Sequence, residues 1–115
     1  MENANEYMMI FRYTPKESNT PTPEEQAASS AAWGTFIGNI AIAEKLVSTH
    51  QLGFESRQIA ADGSLTEGVH LAEGQTLGGN MIVKANTLEE AVSLAKESPI
   101  LAMGGTVEVR SIVPM

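Results

Sequence analysis

Residues 77–111, LGGNMIVKANTLEEAVSLAKESPILAMGGTVEVRS, decide the architecture, because a glycine step, an apolar run, a capped helix and an alternating strand follow one another there. Leu77-Gly78-Gly79 leads into a strand predicted over residues 80–85. Thr87-Leu88-Glu89-Glu90 reads as a capping box at the head of a helix running through about Glu97, with Pro99 helping to stop it. In the last strand Val107, Val109 and Ser111 share one face while Glu108 and Arg110 share the other, the pattern of an antiparallel strand with one solvated side. The pairs Gly78-Gly79 and Gly104-Gly105 both precede strands and read as backbone turns. Neither has the pattern of a Walker loop or a dinucleotide fingerprint.

Working outward, residues 6–13 carry Tyr7, Met9 and Phe11 on one face and Met8 and Ile10 on the other, which predicts a central strand covered on both sides. Residues 14–21 contain two prolines among small polar residues and read as a loop. A helix is then expected from Thr22-Pro23-Glu24-Glu25, which combines an N-cap hydroxyl, a proline at the first helical position and a glutamate three residues after the cap. Trp33, Phe36, Ile37 and Ile40 follow the helical period, Gly34 and Gly38 suit close packing on a sheet, and the helix should end near Glu44. Residues 46–54 read as a strand with a bulge at Gly53. Residues 57–60 and 64–67 flank Ala61-Asp62-Gly63, whose Asp-Gly pair signals a hairpin. The order is βαββαβ, an α+β ferredoxin-like sandwich with an antiparallel sheet and two helices on one face.

The chain has 115 residues, about the size of one domain, and no charge block or low-complexity tract divides residues 1–115. A chain of this length hides roughly two thirds of its unfolded surface, so pairing with a second copy would add useful burial. The formal charge of −7 argues against nucleic acid or an anionic membrane, either of which needs a basic patch. The absence of cysteine removes disulfides, thiol catalysis and thiolate metal sites. No apolar stretch reaches the roughly 20 residues that span a bilayer, and Met1-Glu2-Asn3-Ala4 lacks a basic signal-peptide start, so the expectation is a cytoplasmic protein.

The chain also resembles the YCII-related domain, often called DGPF after its Asp-Gly-Pro-Phe tetrapeptide. The resemblance is carried by the Met8-Met9-Ile10 strand, the Thr22-Pro23-Glu24-Glu25-Gln26 helix start, the Leu77-Gly78-Gly79 step, the Leu88-Glu89-Glu90-Ala91 helix and the Gly105-Thr106-Val107-Glu108-Val109-Arg110 ending. It implies a dimeric α+β barrel, in which two ferredoxin-like sheets face each other and leave a cleft in each protomer. The wider superfamily implied by it includes monooxygenases and lactone isomerases that act on small organic acids without a prosthetic group. The tetrapeptide itself is not present: Glu67-Gly68-Val69-His70 stands in its place. Ala72, Gly74 and Gln75 fall where a typical member carries an acid, a lysine and another acid.

Glu67 and His70 are the first site candidates, since a carboxylate can orient an imidazole for proton transfer near neutral pH, with Glu73 close by in sequence. The competing reading leaves them as solvated loop residues, the commoner fate of loop side chains. His50 alternates with Leu46, Ser48 and Leu52, which predicts a partly buried position among leucines; a core or interface histidine is the first reading and a cleft acid or base the second. Arg57 suits a substrate carboxylate through its planar fork, or an ordinary surface ion pair. Trp33 belongs to the core by default, with a second role lining a cleft. Two histidines 20 positions apart match no metal spacing, so neither metal nor other cofactor is expected.

Two functional classes follow. In one the protein is a homodimeric module that binds a small organic acid or metabolite in a cleft between helix and sheet, without catalysis. In the other it is a cofactor-independent enzyme of isomerase, lyase or monooxygenase type that works in that cleft by proton transfer through His70 or His50 with Glu67.

Overall fold

The computed structural model describes residues 5–14, 22–53, 55–68 and 71–113. The chain is α+β. Strand β1 (Asn5–Tyr13) is followed by helix α1 (Pro23–Ile42), strand β2 (Leu46–Gln51), the short strands β3 (Arg57–Ile59) and β4 (Leu65–Glu67), strand β5 (Thr76–Ala85), helix α2 (Leu88–Ala95), a 3-10 turn at Pro99–Leu101 and strand β6 (Thr106–Ser111). Four strands form one antiparallel sheet in the order β2-β5-β1-β6, and β3 pairs with β4 in a separate ribbon. This fits a ferredoxin-like arrangement in outline, with the β3–β4 hairpin inserted between the second and third sheet strands.

Strand β1 sits between β5 and β6, as a strand apolar on both faces should. Its Tyr7, Met9 and Phe11 are buried with Met81, Val83 and Ala85 of β5, Phe36 and Ile40 of α1, and Ala91 and Ala95 of α2. Met9, Met81 and Val83 are the largest fully buried side chains. Met8 and Ile10, on the opposite face, are only half-buried within one chain. The molecule is accordingly a plate of 47 × 43 × 20 Å with a radius of gyration of 15.9 Å. A compact chain of this length would be near 13 Å.

Both helix starts are made by the residues that predict them. The Thr22 hydroxyl accepts from the Glu25 N–H at 3.0 Å, and the Glu25 carboxylate accepts from the Thr22 N–H at 2.9 Å, completing the capping box. At α2 the Thr87 hydroxyl accepts from the Glu90 N–H at 3.1 Å. The Glu90 carboxylate reaches one residue further back than a capping box requires, accepting from the Asn86 N–H at 2.8 Å while it pairs with the Lys45 ammonium. Helix α1 closes with Glu44 in the left-handed region at φ 62°, its N–H bonded to the Ala41 carbonyl and the Lys45 N–H to the Ile40 carbonyl. That is a Schellman closure built without glycine.

Several expectations give way to tertiary packing. Helix α2 stops at Ala95 rather than Glu97, where the chain tightens toward the 3-10 turn. Strand β5 starts at Thr76, so Gly78 and Gly79 lie inside a strand instead of ahead of it. A Cβ on Gly79 would meet the His50 carbonyl oxygen at 2.5 Å, and one on Gly78 would meet the Tyr13 ring at 2.9 Å. The glycine step is a close approach of strands rather than a turn. Gly34 and Gly38 serve no such purpose, since a Cβ at either would touch nothing within 4 Å. The bulge in β2 lies between Leu46 and Ser48 rather than at Gly53, which falls beyond the strand. The expected loop at residues 15–21, and Phe54, lie outside the described residues.

Candidate functional site

Strand alternation and register build one exposed surface with both apolar and charged groups: the face of the four-stranded sheet turned away from the helices. Two rows cross it. His50, Asn80, Ile10 and Glu108 stand opposite one another in the first, and Ser48, Ile82, Met8 and Arg110 in the second. At one end Arg12 pairs in register with Thr106 and with Leu77, and at the other Lys84 pairs with Glu6. With strands about 4.8 Å apart, a row spans roughly 14 Å of backbone from β2 to β6.

Electrostatics concentrate at the β6 edge. Arg12 Nη1 donates to Glu108 Oε1 at 2.8 Å across the diagonal between neighbouring strands, and Arg110 Nη1 approaches Glu108 Oε2 at 3.9 Å. The Arg110 side chain is 68 % exposed, leaving most of its guanidinium toward solvent. Arg12, Lys84, Arg110 and His50 thus share a face with Glu6 and Glu108, a mixed surface with one more base than acid on a chain whose net charge is −7.

His50 belongs to this face and is exposed, not buried among leucines. The bulge explains the difference. Leu46 pairs with Val83 and packs against the core, whereas one extra residue later Ser48 pairs with Ile82, so Ser48 and His50 point to the opposite side. Trp33 lies across the sheet from His50, half-buried on α1 and edge-on to Phe11 at 5.2 Å and Phe36 at 5.8 Å. It is a packing residue of the helical layer, and the sheet separates it from His50.

Arg57 and Glu67 are brought together as opposite partners at the base of the β3–β4 hairpin. Arg57 Nη1 donates to the Ser56 carbonyl at 2.9 Å, and both residues are exposed. At the hairpin tip the Asp62 carboxylate accepts from the Ser64 N–H at 2.9 Å and the Ser64 hydroxyl at 2.7 Å, and these bonds, the backbone one foremost, hold its pKa below the usual carboxylate value. Glu73 occupies an exposed turn at φ 55°, between the bridge partners Ala72 and Gln75. His70 and Val69 lie outside the described residues, so the Glu67–His70 dyad has no geometry here.

The core side chains pack between helices and sheet. Two open grooves lie on the helical side of the described residues. One of about 530 Å³ lies between α1 and the end of α2, against Phe36, Asn39, Leu94 and Pro99; the other, of about 240 Å³, lies between α2 and β6, against Val92, Leu101, Val107 and Val109. Phe36 and Ile40 of α1 line the larger groove and Val107 and Val109 the smaller, whereas none of His50, Arg57, Glu67, Glu73 and Trp33 lines either. Among the described residues no three His, Asp or Glu side chains converge as metal ligands, and no helix is long and apolar enough to cross a membrane.

Sequence reading missed Arg12 and Asn80 and placed Glu108 and Arg110 only on a solvated side. Their signal was present as period-two alternation in β1 and β6; the Arg12–Glu108 pair emerges only when the register of those strands is drawn. Compared with known proteins, the chain matches no family model and no curated protein.

Proposed function

We propose that this protein is a homodimeric module that binds a small organic acid, without catalysis, on the sheet face opposite the helices. The supporting observation is the coexistence of Arg12, Arg110 and His50 with the half-buried apolar stripe Met8, Ile10 and Ile82 on one surface of an acidic chain. A carboxylate would sit at the exposed Arg110 guanidinium, where a charged donor makes the stronger class of hydrogen bond. The apolar body of the ligand would lie along Ile10 and Met8, with Asn80 and His50 meeting its far end. The sheet face is preferred to the expected helix–sheet cleft because it gathers Arg12, Arg110 and His50, none of which lines a groove on the helical side. The likeness to YCII-related domains supports the same pairing of sheets, and a cysteine-free chain suits the cytoplasm.

The enzymatic alternative, proton transfer by His50 or His70 with Glu67, draws on the exposure of His50 beside Asn80. Exchanging both histidines for glutamine without loss of turnover on an identified substrate would remove it.

Native mass spectrometry of freshly purified protein tests the main reading. The expected spectrum is a dimer that retains a discrete small-molecule adduct or takes up benzoate, with uptake weakened at least tenfold by Arg110→Gln. A monomer at all concentrations, or a dimer that takes up neither, overturns it.

A further inference from the structure

The β3–β4 hairpin is locally well specified, and none of the described residues covers it. The Ala60 N–H bonds to the Ser64 carbonyl at 2.8 Å, the Gly63 N–H to the Ala60 carbonyl at 2.9 Å, and Gly63 takes the φ of 90° that the Asp-Gly turn requires. Yet every residue of both strands is exposed. Register puts Ile59 directly opposite Leu65, on the same face of the ribbon as Arg57 and Glu67, and these two apolar side chains are 70 % and 64 % exposed. Gln58 and Thr66 occupy the other face. The ribbon therefore has one wholly polar side and one that sets the Ile59–Leu65 pair beside Arg57 and Glu67, and that apolar pair is bare. Two strands of this length standing alone are marginal in water.

We propose that the hairpin is an arm that lays its Ile59–Leu65 face on the Arg12–Leu77 end of the open sheet of a second copy of this chain, beside the sheet-to-sheet contact and clear of Ile10, Met8 and Arg110, each copy giving one arm and receiving one. The inference rests on the dimer reading above and adds to it a second contact. Area favours this occupant. The open face covers on the order of 500 Å², from the lengths of its four strands at about 3.4 Å per residue and about 4.8 Å per strand. A standard interface buries about 800 Å² on each partner, so sheet against sheet falls well short. Two-fold symmetry doubles the contribution of any arm, since the same patch is used in both directions. Chemistry favours it too. The arm carries Glu55, Asp62 and Glu67 against Arg57, an acidic balance of two charges, whereas the open sheet carries Arg12, Lys84 and Arg110 against Glu6 and Glu108, a basic balance of one. Leu77, 46 % exposed and in register with Arg12, extends the apolar stripe toward that arm.

Sedimentation velocity of the full chain over a concentration series tests the proposal with three variants. Ile59→Ser/Leu65→Ser is expected to raise the dimer dissociation constant at least tenfold while its circular dichroism and midpoint of unfolding, measured at a concentration where it is monomeric, match those of monomeric wild type. Ile59→Val/Leu65→Met, which keeps the arm apolar, is expected to stay within threefold of wild type. An unchanged dissociation constant for the serine variant, with Ile10→Lys on the open sheet splitting the dimer, overturns the arm and leaves the sheet dimer standing. A wild-type chain that never dimerises overturns both.

Discussion

The four-stranded sheet and the β3–β4 hairpin are both announced by local sequence signals, and they end in opposite environments. The sheet is covered on one side by Phe36, Ile40, Ala91 and Ala95, and its Met9, Met81 and Val83 are fully buried. The hairpin has a well-formed Asp-Gly turn and a matched apolar pair, all of it exposed. Turn chemistry specifies that a ribbon forms; burial of apolar surface determines how much it contributes to stability.

Five experiments sharpen or break that contrast. The largest effect is expected from Met9→Ala, which empties the fully buried centre of β1 and should cost about 3 kcal/mol in urea unfolding. Gly79→Ala comes next. Its Cβ would meet the His50 carbonyl at 2.5 Å, and backbone cannot swing aside as a side chain can, so about 2 kcal/mol should be lost as β2 and β5 separate. Smaller is a pH effect. The Lys45 ammonium, followed by the Asn86 N–H, holds the Glu90 carboxyl below its ordinary pKa. A carboxyl lowered on folding contributes stability that is complete above the ordinary carboxylate range and is lost as pH falls through that range toward the lowered value. Thermal midpoints between pH 7 and pH 3 should therefore fall less steeply for Glu90→Gln than for wild type. Asp62 is lowered as well, but on the hairpin, so its titration should show in hydrogen exchange of the Ser64 amide rather than in the global midpoint. The smallest effect belongs to Leu65→Ala, within about 0.5 kcal/mol in the monomer because the side chain is already in water. A loss of 2 kcal/mol there would break the comparison, showing that the hairpin is packed against its own chain.

Features specified within one or two turns were legible in the sequence. Thr22 and Thr87 cap their helices, Asp62-Gly63 turns its hairpin, and the alternation in β6 separates its two faces, whereas β1, read as covered on both sides, is buried only on its Tyr7, Met9 and Phe11 face and half-buried at Met8 and Ile10. Features that arise from strands meeting were not. Gly78-Gly79 reads as a turn until β2 and Tyr13 are brought against it, and the same pairing moves the start of β5 back to Thr76. Of the candidate site, Arg57 and Glu67 do meet, as an exposed hairpin pair. Arg12 and Glu108 are far apart in sequence, and nothing local in either strand names the other as its partner.

The bulge after Leu46 behaves like a frameshift in a coding message. Upstream of it β2 is written for the interior, and downstream the same two-residue period is written for the outside, so a single chain segment addresses two compartments. Removing Val47 would leave every remaining letter of the strand unchanged and exchange their meaning, sending Leu46 outward or His50 inward. One residue of no chemical distinction thereby decides whether the molecule displays an imidazole at all.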